Sequence, residues 1–257
     1  MKISAEKRYS EICRMLQADQ QVSVPELSER FGVTQMTIHR DLDKLAQSGR
    51  IKKTWGGAVP AEKMEFEFDF TQRRQTHKKE KQAIAKKALE LISPGQRIIL
   101  DTGTTTLELA YLLKDLKNIT VITPSIAVAS LLQFSQTVQT ILLGGIIRSG
   151  SPDLTGLVTE SNLDMFTADI AFQGADGVDT DGNLYTEDTR IVKVDRKIRQ
   201  RASKNYVLTD SSKIGKTALA NNGLINEVDA FITDDKIPED TKKRFENMGA
   251  TVITVKA

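Results

Sequence analysis

The sequence predicts an α/β protein: an N-terminal winged helix-turn-helix domain, then a larger α/β domain whose sheet is mostly parallel. Two observations predict it. Residues 23–59 run as a capped helix, a turn, a second helix with amide and basic side chains outward, and a basic, glycine-ended segment, the layout that puts one helix into the major groove of DNA. From residue 78 onward, short apolar strands alternate with helical stretches, as in parallel sheets covered on both faces. The expected organisation is a DNA-binding domain over residues 1–60, a linker over 61–74, and an effector-binding and oligomerisation domain over 75–257.

The first helix spans Ala5–Leu16, where Tyr9, Ile12, Cys13 and Leu16 form an apolar stripe at i, i+3, i+4 and i+7. Cys13 belongs to that stripe and is a buried structural thiol. The second helix starts at Ser23, which forms a capping box with Glu26, and stops at Gly32. Thr34 caps the third, whose buried stripe is Ile38, Leu42 and Leu45. In the connector, Phe66, Phe68 and Phe70 alternate with acids, and we read it as a packed linker. His77 sits in a charged stretch and is expected exposed.

Beyond it, Lys79–Ile92, Leu107–Leu113, Ile126–Phe134 and Pro238–Met248 read as helices. Arg97–Leu100, Ile119–Thr123, Val138–Leu143, Asp169–Phe172, Tyr206–Thr209, Ala230–Thr233 and Thr251–Val255 read as strands.

Net charge is only +2, but residues 1–60 carry ten Lys/Arg against seven Asp/Glu, leaving 26 against 27 for the rest. The excess sits on the DNA-binding head, where phosphate contacts need it. The N-terminal residues show no signal-peptide pattern. The longest apolar run, Thr140–Ile147, is short and broken by two glycines. With a single cysteine there is no internal disulfide, and the expected compartment is the cytoplasm.

Groove recognition needs donors and acceptors at the start of a helix, with cations nearby for phosphates. Gln35, Thr37 and His39 are placed to meet base edges, and Arg40 and Lys44 to reach guanine or phosphate. Arg50, Lys52 and Lys53 suit backbone contacts in the wing, with Trp55 packing the wing onto the head.

In the body, Ile98–Thr106 (IILDTGTTT) takes a strand into Asp101. Gly103 then allows close backbone approach, and Thr104, Thr105 and Thr106 bring hydroxyls and N–H groups to a helix start suited to a phosphate. An ordinary strand-to-helix turn would use the same residue types. Three later segments place small residues beside a charge after a strand: Gly144, Gly145 and Arg148; Gly174 and Asp176; and the run containing Lys213. Arg148 and Lys213 suit an anion, Asp101 and Asp176 sugar hydroxyls.

Arg8, Ile12, Leu16, Thr34, Thr37-Ile38-His39-Arg40-Asp41-Leu42, Gly49 and Trp55-Gly56-Gly57-Ala58 together closely resemble the DeoR family of bacterial transcriptional regulators. The family most often has arginine where His39 stands. The body segments resemble the family's sensor domain, which is similar in fold to ribose-5-phosphate isomerase. Pro124 stands where the family often has asparagine, and Asn183–Lys197 departs from its common pattern. The resemblance implies a ligand-responsive regulator, a repressor of a sugar-metabolism operon modulated by a phosphorylated sugar bound around Asp101–Thr106. The expected partners are double-stranded operator DNA and further copies of the chain as a dimer or tetramer, with no catalytic residues, metal or cofactor.

Three rivals stand beside this reading. A sugar-phosphate isomerase would draw on Asp101, Asp176, Glu187 and Lys213, but has no need of the head. An aspartic protease needs two Asp-Thr-Gly loops, and the chain has one. A purely architectural DNA-binding protein would not need the glycine-rich strand ends.

Overall fold

The computed structural model describes residues 4–19, 21–60, 70, 72–148 and 151–257. They form two compact units, and the chain passes from the first to the second between Gln72 and Arg73. Phe66, Phe68 and most of the expected linker lie outside the described residues; Phe70 is half-buried.

The first unit runs α1 (Ala5–Asp19), β1 (Val22–Ser23), α2 (Val24–Phe31), α3 (Gln35–Gln47), β2 (Ile51–Thr54) and β3 (Gly57–Pro60). Local chemistry sets each boundary. The Ser23 hydroxyl accepts the Glu26 N–H at 3.3 Å, and Gly32, at φ +60°, closes α2 in the left-handed conformation that disfavours a side chain. Thr34 accepts the Thr37 N–H at 3.3 Å and starts α3. The three apolar stripes meet in one core, in which Ile12, Leu16, Leu27, Ile38 and Leu42 are fully buried. Cys13 is buried with them.

The hairpin β2–β3 takes up β1 as a third strand, in the order β1-β3-β2. That pairing requires Gly57, because a Cβ there would stand 1.8 Å from the Val22 carbonyl oxygen. Trp55 corrects the expectation that it packs the wing onto the head: its side chain is fully exposed. The inward positions of the wing are filled by Ile51 and Ala58, leaving the indole at the hairpin tip with no core to enter.

The second unit opens with α4 (Lys78–Leu89), β4 (Arg97–Leu100), α5 (Thr104–Leu113), β5 (Ile119–Thr123), α6 (Ile126–Leu132) and β6 (Val138–Leu142). A hairpin of β7 (Ile146–Ile147) and β8 (Leu154–Thr155) leads to α7 (Leu157–Asp164) and β9 (Ala168–Gln173). Then come β10 (Gly177–Val178), β11 (Asn183–Thr186), α8 (Thr189–Arg201) and β12 (Ala202–Leu208). The chain ends with β13 (Ala220–Leu224), β14 (Ala230–Asp234), α9 (Glu239–Asn247) and β15 (Val252–Val255).

Seven strands form one parallel sheet in the order β15-β14-β12-β9-β4-β5-β6. The chain builds outward from β4 through β5 to β6. It then returns to the other side of β4 with β9 and builds outward again. Strand order therefore reverses between β4 and β9, and the loops leaving their carboxyl ends part to open a crevice.

Leu163 of α7 and Val194 and Ile198 of α8 pack on Ile99, Ile122 and Ala171. Farther along the sheet, Phe245 of α9 meets Phe231 edge-on with ring centres 6.1 Å apart. Helices α7 and α8 and the small antiparallel sheet β10-β11-β13 add to the elements legible in the sequence.

One polar contact joins the first and third helices of the head. Arg8 Nε donates to Asp41 Oδ2 at 2.7 Å and Nη2 to Oδ1 at 3.1 Å, with both residues buried. Breaking a buried pair leaves an uncompensated charge, so Arg8→Ala or Asp41→Ala is expected to cost about 3–5 kcal/mol. Urea unfolding of the full chain followed by far-UV circular dichroism checks this. A loss below about 1 kcal/mol would place the pair among weak, surface-like contacts.

Candidate functional site

The candidate DNA-facing surface is built on α3. Its buried stripe and Asp41 face the core, which turns Gln35, Arg40 and Lys44 outward as exposed side chains. Thr37 and His39 are half-buried, and the Thr37 hydroxyl lies 3.0 Å from that of Thr34. In the wing, Arg50, Lys52 and Lys53 are exposed. Lys53 already has a partner, since its Nζ donates to Asp43 Oδ1 at 2.6 Å and ties the wing to α3; a phosphate there competes with a carboxylate. Sequence reasoning passed over Met36, which is 63% exposed beside Gln35. Its signal was its place outside the Ile38–Leu42–Leu45 stripe, and its thioether suits a thymine methyl.

The second site lies at the β4/β9 switch point. Leu100 pairs with Phe172 in the ladder, and the next residue, Asp101, donates its N–H to the Phe172 carbonyl at 3.0 Å. Asp101 Oδ2 accepts the Gly174 N–H at 3.2 Å. Gly103 and Gly174 stand back to back, so that a Cβ on Gly103 would lie 3.7 Å from the Gly174 Cα. Asp101 is buried, and burial raises its carboxyl above the ordinary range, while N–H groups of Thr102 and Gly174 act in the opposite direction. Burial also holds Asp195 well above the usual carboxylate range, with the charge of Asp101 adding to the effect.

The loop hydroxyls divide. Thr106 is fully buried and donates to the carbonyls of Asp101 at 2.9 Å and Gly103 at 2.7 Å, so it builds the loop from inside rather than meeting a ligand with its hydroxyl. Thr105 is buried as well. Thr102, Gly103 and Thr104 are half-exposed, and α5 begins without a side-chain cap, leaving its first N–H groups to an external acceptor.

Gly144 and Gly145, expected in the pocket, instead seat the turn after β6 against α7. The Gly144 N–H donates to Asn162 Oδ1 at 2.7 Å, and the Thr159 hydroxyl donates to the Gly144 carbonyl at 2.8 Å. A Cβ on Gly145 would fall 2.0 Å from the Thr159 hydroxyl oxygen. Arg148 is held by carboxylates: Nε donates to Asp153 Oδ1 at 2.8 Å and Nη1 to Asp188 Oδ2 at 3.3 Å. Burial opposes its charge, the two aspartates outweigh burial, and its pKa rises above the ordinary value. Arg148 is therefore engaged by carboxylates rather than standing open to an anion, and its charge is a minor influence on Asp101 behind burial and the N–H groups.

Asp176 accepts the Thr186 hydroxyl at 3.2 Å and the Glu187 N–H at 3.0 Å, and Arg73 Nη1 lies 3.6 Å from its carboxylate. Lys213 is half-buried in a short 3₁₀ turn, Ser211–Lys213, capped by Asp210. Facing these is Lys81, which sequence reasoning missed. It is only 5% exposed, and its Nζ donates to the Thr76 carbonyl at 2.9 Å and to that of Arg73. Burial pushes its pKa down, the field of Asp210 pushes it back up, and Lys213 and Arg73 add to the fall. The signal was available: Lys81 falls in line with Ile84, Ala85 and Ala88, a lysine in the buried stripe of α4. Arg74 completes the group, its guanidinium 4.9 Å over the Tyr111 ring and Nη2 donating to the Tyr111 hydroxyl at 2.6 Å.

The arrangement offers carboxylates for hydroxyls (Asp101, Asp176) and, beside them, a cationic end (Lys81, Lys213, Arg73) with an uncapped helix start for an anion. Asp101 leads from a parallel strand into α5, which removes the aspartic-protease reading. Among the described residues no helix is long and apolar enough to cross a membrane, and no group of three or more His, Cys, Asp or Glu side chains is placed to hold a metal.

The sequence model of the DeoR C terminal sensor domain matches residues 76–235, and that of the DeoR-like helix-turn-helix domain residues 8–64. The HTH-type transcriptional regulator GolR of Listeria innocua is 34% identical over 96% of this chain and 97% of its own length. The glycerol-3-phosphate regulon repressor of Escherichia coli K12 is 33% identical, over 90% of this chain and 92% of its own. The L-fucose operon activator of Haemophilus influenzae is 30% identical, over 87% and 90%. A ribose 5-phosphate isomerase from Methanocaldococcus jannaschii superposes with a TM-score of 0.40 and 24% identity, over 54% of this chain and 55% of that one.

Hydrogen bonding from Arg190, and then from Arg148, holds the Asp188 carboxyl far below its usual range. A depressed pKa means that ionised Asp188 stabilises the fold above its unfolded value near pH 4, and that this is lost as the pH falls through and below about 4. Asp188→Asn is therefore expected to lose about 1.5–3 kcal/mol at neutral pH, the gap from wild type closing on acidification. Urea unfolding across that range checks it, and a gap independent of pH would contradict it.

Proposed function

Because the chain belongs to the DeoR family of transcriptional regulators, we propose that it represses a sugar-metabolism operon by binding operator DNA through α3 and the wing, and that a phosphorylated sugar at the β4/β9 crevice relieves the repression. The observation that carries the effector reading is the Asp101–Gly103–Gly174 crevice with buried Lys81 at the same strand ends. The phosphate takes the cationic end, where Lys81, Lys213 and the uncapped start of α5 supply positive charge. The hydroxyls take Asp101 and Asp176. Two half-sites on an operator call for two copies of a helix-turn-helix chain, so the regulator acts as a homo-oligomer, in the cytoplasm with its DNA.

Lys81 suggests how the signal leaves the site. Its ammonium is held by carbonyls of Arg73 and Thr76, and the chain preceding these residues leads back to the head. A phosphate drawn to Lys81 competes with those carbonyls and changes the anchoring of the segment. Operator affinity then falls by the effector's preference for one arrangement, commonly about 1–3 kcal/mol.

The test pairs two titrations on the full chain. Operator DNA is first selected from a random duplex pool, and its binding is followed by fluorescence anisotropy. Aldose, ketose and polyol phosphates are then added, beside their unphosphorylated counterparts, with thermal unfolding in parallel. One or a few phosphorylated compounds should raise the melting temperature and weaken DNA binding; ligand at 100 times its dissociation constant adds about 2.7 kcal/mol. Arg40→Ala should weaken operator binding by about 1–3 kcal/mol and leave the thermal response intact. Asp101→Ala should bind operator normally and lose the response. No response to any phosphorylated compound would overturn the sensor half of the reading and leave an architectural DNA-binding protein. An effector that strengthens operator binding would act as a co-repressor and overturn the relief of repression proposed here.

A further inference from the structure

We propose that the uncharged face made by edge strand β6, the β7–β8 hairpin and the start of α7 is where a second copy of this chain docks, in a twofold-symmetric contact. The proposal rests on the homo-oligomeric reading above and names its surface. Its first support is charge. Residues 118–147 contain no Asp, Glu, Lys, Arg or His in a chain that is 27% charged. Burial does not account for this, because eleven of those thirty residues are exposed. Depletion of charge is what separates the core of a protein interface from the rest of a surface.

The second support is apolar area. Leu142, Ile146, Ile147, Leu157 and Val158 are all exposed, Ile146 at 70% and Leu157 at 76%. They are neighbours in space. Ile146 pairs with Thr155 across the hairpin and reaches Gly156 at the head of α7, and Val158 lies against Gly144. With Phe134, 85% exposed and next in the chain to Gln133 of the groove between α6 and β6, these side chains present apolar surface on the order of 600 Å². That is the top of the roughly 300–600 Å² an ordinary monomer leaves in one patch, and it matches the apolar share, about two thirds, of the roughly 800 Å² per partner that a stable dimer buries.

The third support is the contrast between the two edges of the sheet. Strand β15 is bordered by Lys79, Lys86, Lys87, Glu90 and Lys256, the charged guard that keeps an open edge from pairing. Strand β6 has no such guard: Gln139 and Leu142 are its exposed residues. An edge left unguarded on a chain that must act in pairs is an edge that is covered, and closed pairs of identical chains use the same patch on both partners. Leu219, equally exposed and outside the face, provides the control.

Sedimentation equilibrium of the full chain at micromolar concentration, without DNA, tests the proposal. Ile146→Lys and Leu157→Glu should each raise the dissociation constant of the oligomer by about thirty-fold or more, with circular dichroism unchanged, while Leu219→Lys leaves it as in wild type. If either substitution disturbs the fold, Gln139→Arg places a charge at an already polar, exposed position of β6 and should give the same dissociation. Wild-type association that persists in every folded variant overturns this face and leaves the oligomeric reading intact. Equal weakening by Leu219→Lys also overturns it. A wild-type chain that is monomeric throughout overturns both.

Discussion

The side-by-side pairing of β4 and β9 is the constraint from which the candidate effector site follows. A parallel ladder sends every carboxyl end to one rim of the sheet, and only where the order of strands reverses do two neighbouring loops turn away from each other. Here those loops carry Asp101–Thr104 and Gln173–Asp176. They come within van der Waals contact at two glycines, Gly103 and Gly174. The same closeness lets Asp101 take the Gly174 N–H while buried, and burial is what lifts its carboxyl. Around that aspartate, Arg148 is paired with Asp153 and Asp188, and Asp195 is driven toward its protonated form first by burial and then by the charge of Asp101.

The head solves a smaller problem by a different route. Its core is apolar, and the buried charged groups among its described residues are the Arg8–Asp41 pair. A buried ion pair is a poor source of net stability, since hydrophobic substitutes of similar volume often do as well. What the pair does provide is direction. A bidentate guanidinium–carboxylate contact has one geometry, and Asp41 lies one residue beyond Arg40, so fixing Asp41 fixes the outward angle of the DNA-facing side chain. Aliphatic packing alone tolerates rotation of a helix about its axis far better.

Much of this was legible in the sequence wherever a local signal decides the structure. Caps at Ser23 and Thr34, the glycine stop at Gly32 and the strand starts at Arg97, Ile119 and Val138 are short-range chemistry, and they stand where the residues indicate. Features set by tertiary partners were harder to see. Helix α8 is so rich in charge that its stripe of Val194 and Ile198 is thin, and α7 has no strong apolar period. Gly144, Gly145 and Thr106 carry the residue types of a ligand loop, yet their neighbours in space, Thr159 and the carbonyls of Asp101 and Gly103, assign them to packing. Trp55 is the converse case, an aromatic whose inward place two smaller residues fill. Lys81 was readable by register alone and was hidden by the lysines around it.

Segment 142–158 joins two roles that would otherwise be separate. Its apolar residues make up most of the uncharged face, whereas Arg148 and Asp153, from the same hairpin, reach into the field of Asp101. Two of its described residues are held in place: Gly145 is packed against Thr159, and Arg148 is gripped on two sides by carboxylates. Side chains packed in this way pass on a small displacement instead of absorbing it, because packed interiors shift between discrete arrangements and do not deform continuously. A ligand at the strand ends and a partner on the outer face then act on the same residues. By reciprocity, whatever free energy the partner gains from one setting of the hairpin appears as altered affinity at the crevice. On the effector and docking proposals above, effector affinity and self-association are linked quantities, and each should depend on the state of the other.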